Sequence, residues 1–341
     1  MNTSADIKNM RVARYIINDY IGNETQEGFD DVISADLHFL GKHKLIPIWF
    51  DIISRQDAIG KLTRQMYYML SSYVAHIRHE QETKLREMSA LHDCFGESGL
   101  HYAVRKGHAL TSFYKDPTHR NYNDLDLLVI GNDINQYLKI LHSQGFVEGI
   151  YDHTRQKIIN HSRFDLIKYR LSPDHHPHMV KLVDGVPVVV DLAFTSCWHS
   201  HSQADEFTLN NADTEMVEGI RCLGGPYLYL DTMFHLYRET RFLNSLQGRS
   251  PFLLSYLDLI LLRQNRPEPT FSEIGEHLAL EQDISALLSG DIDAFLHHKI
   301  ELADIKSVSS FSLFSYMAKS FKKDSKEMIE QFKSDSRIQG Q

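Results

Sequence analysis

Cysteine is scarce in this chain: there are three in 341 residues, Cys94, Cys197 and Cys222, with no Cys-x-x-Cys spacing. That excludes a disulfide framework and fits a reducing compartment. Long apolar runs are missing too. No stretch approaches the length needed to cross a bilayer, and Met1-Asn2-Thr3-Ser4-Ala5-Asp6 lacks the apolar core of a signal peptide. A cytoplasmic protein without a membrane partner is the expectation. Positive charge is also in deficit: a formal net charge of −9 disfavours nucleic acid as a partner and leaves room for a local basic pocket around one nucleotide. Neither an internal repeat at a fixed period nor a long low-complexity tract is present. The 42% of residues that are hydrophobic are enough for a sizeable core and more than one structural unit.

The string that carries chemistry is Asn123-Asp124-Leu125-Asp126-Leu127-Leu128-Val129. On a strand, residues two apart project from one face, so Asp124 and Asp126 point together while Leu125, Leu127 and Val129 supply the opposite, buried face. Two carboxylates about 5 Å apart repel by about 3 kcal/mol at an effective dielectric of 20, a cost that protonation or a divalent cation removes. Magnesium, or manganese in its place, is the simplest cation for such oxygen donors. The bland alternative is an edge strand that ends in solvated charges.

The upstream segment favours the metal. Arg105-Lys106-Gly107-His108-Ala109-Leu110 separates an apolar run, Leu100 to Val104, from a helix-compatible run, Ala109 to Tyr114. A strand, a glycine turn and a helix N-terminus offer backbone N–H groups and a favourable dipole to phosphate. Lys106, Gly107 and His108 are therefore candidates for holding a nucleotide. Lys106 and Arg120 flank the acid strand with charge suited to a triphosphate; the alternative for Arg120 is an ion pair with Asp116 in a surface loop.

A third acid follows from a hairpin. His178 to Val183, then Asp184-Gly185, then Val186 to Asp191 read as two strands joined by a two-residue turn. In that register Val183 faces Val186, and counting outward places His178 opposite Asp191. Three acids on neighbouring strands, Asp124, Asp126 and Asp191, then surround two cations. His178 is a further site candidate, whereas His175 and His176 read as loop residues. Cys197-Trp198-His199-Ser200-His201 suggests zinc only weakly, because a second ligand pair at a familiar spacing is absent.

With these motifs in place, the chain resembles the DNA polymerase β-like nucleotidyltransferase superfamily, whose pattern is an apolar strand, a glycine turn, a helix, a strand bearing Asp-x-Asp and a later strand bearing a third Asp. It is most similar to a bacterial, largely uncharacterised branch with Lys-Gly at the turn, matched by Lys106-Gly107, and an arginine four residues before the first aspartate, matched by Arg120. The later acid of that branch sits in an Asp-Leu-His-Trp-like string, here Asp191-Leu192-Ala193-Phe194. Two departures stand out: His108 follows the glycine where Ser or Gly is usual, and Ala193 replaces a frequent histidine. The likeness runs from about Ile33 to about Asn265, including Lys44-Leu45-Ile46-Pro47-Ile48 and a late helical segment, Phe252 to Leu262, that contains Asp258. The resemblance implies that Asp124 and Asp126 hold the magnesium of an NTP and a second ion, that Asp191 holds the second ion, and that an acceptor oxygen attacks the α-phosphorus with loss of pyrophosphate. The resemblance says little about the acceptor; the acidic balance of the chain favours a small molecule, a peptide or a protein. A non-catalytic nucleotide- or peptide-binding module, and a toxin-type enzyme that modifies a protein or tRNA, are the alternatives.

The expected architecture is α+β: a nucleotidyltransferase core with a mixed sheet, flanked by N- and C-terminal helical regions. Residues 1–97 form the N-terminal helical region, with a long helical pattern from Gln56 to Met88. Residues 98–200 form the catalytic core, in which Ile134 to His142 reads as an amphipathic helix closed by Gly145. Residues 201–321 form the C-terminal helical region, with segments Tyr227 to Leu246 and Pro251 to Leu262. Residues 322–341 are a polar tail.

Overall fold

The computed structural model describes residues 4–25, 28–171, 175–194, 214–237, 252–265 and 275–290. The string Cys197 to His201, the part of the segment Tyr227 to Leu246 beyond Tyr237, and the polar tail 322–341 lie outside the described residues. The fold is α+β, with a seven-stranded mixed sheet and helices toward both ends of the chain. Two compact units are present, and neither is contiguous in sequence. The first comprises the described parts of Met1–Glu82, Leu110–Asn121 and Thr232–Lys299; the second comprises those of Thr83–Ala109 and Tyr122–Asp231.

The first unit is helical: α1 (Ser4–Ile21), α2 (Phe29–Ile33), α3 (Leu37–Lys42), α4 (Ile46–Arg55), the start of α5 (Arg64–Glu97), and two later helices described below. Ile16, Ile17, Leu40, Leu45, Ile48, Trp49 and Ile52 are fully buried in it, each contributing roughly 1.5–3 kcal/mol relative to exposure. Trp49 also donates from Nε1 to the Val32 carbonyl at 2.6 Å, so its single polar atom is satisfied inside the core. The long helix begins later than the apolar pattern from Gln56 predicts. Asp57 adopts a left-handed φ of 53°, a 3₁₀ turn covers Ile59–Lys61, and Thr63 Oγ1 accepts from the Met66 amide at 3.2 Å. This cap supplies the start signal that periodicity alone misses.

The second unit contains the sheet, in the order β3-β6-β7-β2-β1-β9-β8. Its strands are β1 (Tyr102–Arg105), β2 (Asp124–Val129), β3 (Val147–Glu148), β6 (Met179–Val183), β7 (Val186–Ala193), β8 (Thr214–Val217) and β9 (Ile220–Leu223); β4 (Ile150–Asp152) and β5 (Lys157–Ile159) form a separate pair. Strand β2 runs antiparallel to β1 and parallel to β7, so it is central and its apolar residues are buried on both sides. Helix α6 (Ile134–Ser143) follows β2 and ends before Gly145, whose φ is 86°. Tyr137 of α6 and Phe95 of α5 meet edge to face at 5.4 Å, and Phe95 meets Tyr102 of β1 at 5.1 Å, so the last turns of α5 share a core with the sheet.

The expected hairpin is present in the expected register. Val183 pairs with Val186 and Met179 with Val190. Asp184 and Gly185 take φ values of 51° and 84°, the two positive values that the tight turn requires. A second hairpin, β8–β9, turns through Glu218 and Gly219 and sets β9 parallel to β1. Helix α7 (Arg163–Leu171) lies between β5 and β6 in sequence, and α8 (Gly225–Leu236), α9 (Leu253–Asn265) and α10 (Gly275–Ser289) follow the sheet. Among the described residues, no helix is long and apolar enough to cross a membrane.

Candidate functional site

The two central parallel strands bring the acids together. In the β2–β7 register Asp126 is paired with Asp191, and Asp124 with Val189. Paired residues on adjacent strands point to the same face, and residues two apart on one strand do too. Asp124, Asp126 and Asp191 therefore share one face of the sheet, with Leu128 buried farther along the same face of β2. The bland alternative of an edge strand with solvated charges does not hold: β2 is internal to the sheet, Asp126 and Asp191 are each only 7% exposed, and Asp124 is partly exposed. Inside a sheet covered on both faces, a carboxylate stays ionised only if a cation or hydrogen bond accompanies it.

Each acid meets that demand differently. Asp126 Oδ1 lies 2.6 Å from Lys106 Nζ. Asp191 Oδ1 lies 3.0 Å from His175 Nδ1, which donates to it when that nitrogen carries the proton, and Asp191 Oδ2 is 4.0 Å from His178 Nε2. Burial alone would push the Asp191 carboxyl up, but the His175 hydrogen bond and the positive charges of His175, His178 and Lys106 hold it well below the ordinary carboxylate range. Asp124 goes the other way: burial and then the neighbouring Asp126 charge raise its pKa. The face thus carries one firmly ionised acid, one acid neutralised by lysine and one acid under electrostatic strain.

The glycine turn stands at the end of the adjacent strand, since Arg105 pairs with Asp126 in the β1–β2 register. Lys106 has a φ of 54° and Gly107 a φ of 26°. A Cβ on Gly107 would come within 3.1 Å of Tyr122 Cβ, so a side chain there would press on Tyr122 and sit on a strained, positive-φ backbone. A 3₁₀ helix, Gly107–Phe113, follows the turn. His108 is buried, with its Nε2 3.2 Å from the Val217 carbonyl at the β8–β9 turn, and burial lowers its pKa. The structure thus ties the His108 ring to the neighbouring hairpin.

Of the residues proposed from sequence, Asp124, Asp126, Asp191, Lys106, Gly107, His108 and His178 all lie in the second unit. Arg120 lies in the first, where its Nε donates to Asp258 Oδ1 at 2.6 Å and Tyr114 donates to the same oxygen at 2.7 Å. Its carboxylate partner is Asp258 of α9, while Asp116 caps the 3₁₀ turn Pro117–His119 and faces Arg78 at 3.2 Å. The sequence reading missed His175, which reaches Asp191 because a single antiparallel bridge pairs it with Ala193. It also missed Arg105, buried against Asp231 with Nε donating to Oδ2 at 3.1 Å, and Tyr169 of α7, whose ring packs edge-on to His178 at 5.7 Å. An aromatic three places along α7 from Leu166 was legible as helix periodicity, but its neighbour was not.

Three carboxylates on one face are the right donors for a hard divalent cation. Among the described residues, no three His, Cys, Asp or Glu side chains stand together as a ready-made metal cage, and the position beside Asp126 is taken by the Lys106 ammonium. The donor set therefore fits a cation by chemistry, on condition that Asp126 exchanges its lysine partner.

A family model described as an uncharacterised nucleotidyltransferase matches residues 34–276. No curated protein matches the chain.

Proposed function

Because the chain belongs to the uncharacterised nucleotidyltransferase family, we propose that it moves an NMP group from an NTP to an oxygen nucleophile on a small-molecule, peptide or protein acceptor, with magnesium or manganese as the cofactor and the polymerase β-like arrangement as the mechanism. The observation that carries this reading is the strand register that sets Asp126 beside Asp191, with Asp124 on the same face and the Lys106-Gly107 turn at the end of the adjacent strand.

The acceptor oxygen forms a bond to the α-phosphorus as the bond from that phosphorus to the β-phosphate bridge breaks. Pyrophosphate leaves and the acceptor proton passes to solvent. Asp124 and Asp126 would hold the nucleotide's cation, and Asp126 and Asp191 a second one. When bound, such ions neutralise the attacking and leaving oxygens. Asp191 suits a ligand role better than a base role, because His175 and its neighbours keep it ionised and so a weak proton acceptor. Gly107 lets the turn approach the triphosphate closely, and Lys106 supplies charge there. His178, 4.0 Å from Asp191 and packed on Tyr169, orients that acid or contacts the acceptor.

The test is to incubate the full chain with each NTP, magnesium and a metabolite or peptide extract, following pyrophosphate release and added nucleotide mass. Pyrophosphate release that depends on the extract and is lost in Asp124→Asn supports the reading. Binding of nucleotide without any turnover, across all four NTPs and both extracts, rejects it in favour of an accessory binding module.

A further inference from the structure

We infer that Lys106 is a built-in counter-ion that holds Asp126 until a nucleoside triphosphate arrives, so that a divalent cation enters with the nucleotide and not ahead of it. This rests on the nucleotidyltransferase reading and adds an order of binding to it.

The Lys106–Asp126 pair is set in place by several features at once. The two side chains are 11% and 9% exposed and 2.6 Å apart, so the pair is largely shielded from water and from salt. Lys106 reaches this position from a left-handed backbone, a conformation that is unfavourable for a non-glycine residue. The turn is fixed on either side: the Lys106 carbonyl accepts from the Ala109 amide at 2.7 Å, and Gly107 packs on Tyr122. A surface lysine with freedom to wander would need none of this.

An ammonium and a divalent cation compete for the same carboxylate. If a metal ion takes Asp126 alone, Lys106 loses its 2.6 Å partner and is left nearly buried beside a dication. Removing one partner of a buried pair is costly because the remaining charge is uncompensated. A triphosphate arriving with the metal removes that penalty, since the turn that bears Lys106 is also where phosphate oxygens are received. The ammonium then exchanges a carboxylate for a phosphate, and the metal and nucleotide become positively coupled through one lysine. Coupling of this kind is reciprocal, so each ligand raises the affinity of the other by the same factor.

The experiment measures manganese binding to the full chain by calorimetry, and by the paramagnetic resonance of free manganese, with and without a non-hydrolysable NTP analogue, each arm with analogue being referred to the same titration of the analogue alone so that its own chelation is subtracted. Lys106→Met removes the competitor; Lys106→Gln serves as a second variant should the first fail to melt cooperatively. Either variant is expected to bind manganese alone roughly 10- to 100-fold tighter than the wild type, the factor that corresponds to one charge-assisted pair no longer broken. Lys106→Arg, which keeps the charge, stays at the wild-type value, and adding Asp126→Asn to Lys106→Met abolishes the gain. The nucleotide analogue tightens manganese binding in the wild type but not in Lys106→Met. Equal affinity for manganese alone in the wild type and both neutral variants overturns the counter-ion role while leaving the proposed activity intact, provided the wild type binds manganese with the analogue. Failure of the wild type to bind manganese even with the analogue overturns the nucleotidyltransferase reading itself.

Discussion

Replacing Asp124 by Asn should make the metal-free protein more stable and inactive. Asp124 is the acid under strain: burial and the adjacent Asp126 charge raise its pKa, and no side-chain partner comparable to Lys106 or His175 is seen for it among the ion pairs described. Two like charges about 5 Å apart cost about 3 kcal/mol at an effective dielectric of 20. The Lys106 charge offsets part of this, leaving a gain of about 1–2 kcal/mol on neutralisation, or an increase of about 1–3 °C in melting temperature for a chain of this size. The pH dependence has a definite sign. A raised folded pKa means that the penalty is absent below the ordinary carboxylate pKa and grows as pH rises through the folded value, so the advantage of Asp124→Asn is full at pH 7.5 and shrinks on acidification. Thermal melts of both proteins at a series of pH values, without metal, measure it directly. Magnesium with nucleotide should then raise the melting temperature of the wild type and leave the variant unmoved. A variant less stable than wild type at neutral pH, or a difference that does not change with pH, would refute the reasoning.

Asp191→Asn should keep Mg-NTP affinity and lose transfer, because the first two acids remain to hold the nucleotide's cation; loss of nucleotide binding in calorimetry contradicts that division. Gly107→Val should lose nucleotide binding more completely than Lys106→Ala, since a side chain there meets Tyr122 at 3.1 Å on a backbone that disfavours branching; unchanged affinity would remove the turn from the site. Arg120→Ala should destabilise by about 3–5 kcal/mol, as it strands Asp258 in the core of α9 without its guanidinium, and urea titration reads this out; a loss of nucleotide affinity in the folded variant would add the triphosphate role expected from sequence. His175→Ala should move the acid limb of the rate profile to higher pH, because Asp191 loses the partner that holds its carboxyl down; an unmoved limb would assign the bond to structure alone.

Much of the second unit was legible because its signals are local. The alternation of Val186, Val188 and Val190 and the Asp184-Gly185 turn fixed the hairpin register to the residue, and the Asp-x-Asp spacing put two acids on one face. The Glu218-Gly219 turn between apolar flanks carried the same kind of signal and locates β8–β9, although the sequence reading passed over it. The remaining features depend on separations that no period encodes. His175 reaches Asp191 through one isolated bridge to Ala193, Arg120 meets Asp258 from 138 residues away, and the compact units interleave along the chain. The burial of Asp126 was likewise invisible, because a strand that opens with acids reads the same whether a lysine or water receives them.

The most direct measurement uses NTP labelled at either the α- or the γ-phosphorus, incubated with the full chain, magnesium and an acceptor extract. Transfer of the α-label to an extract component by the wild type, with the γ-label recovered in pyrophosphate and both lost in Asp124→Asn, is the predicted result. Transfer of the γ-label, or retention of α-label transfer when Asp124 or Asp191 is replaced by Asn, would contradict the assignment of nucleotidyl transfer to these three acids.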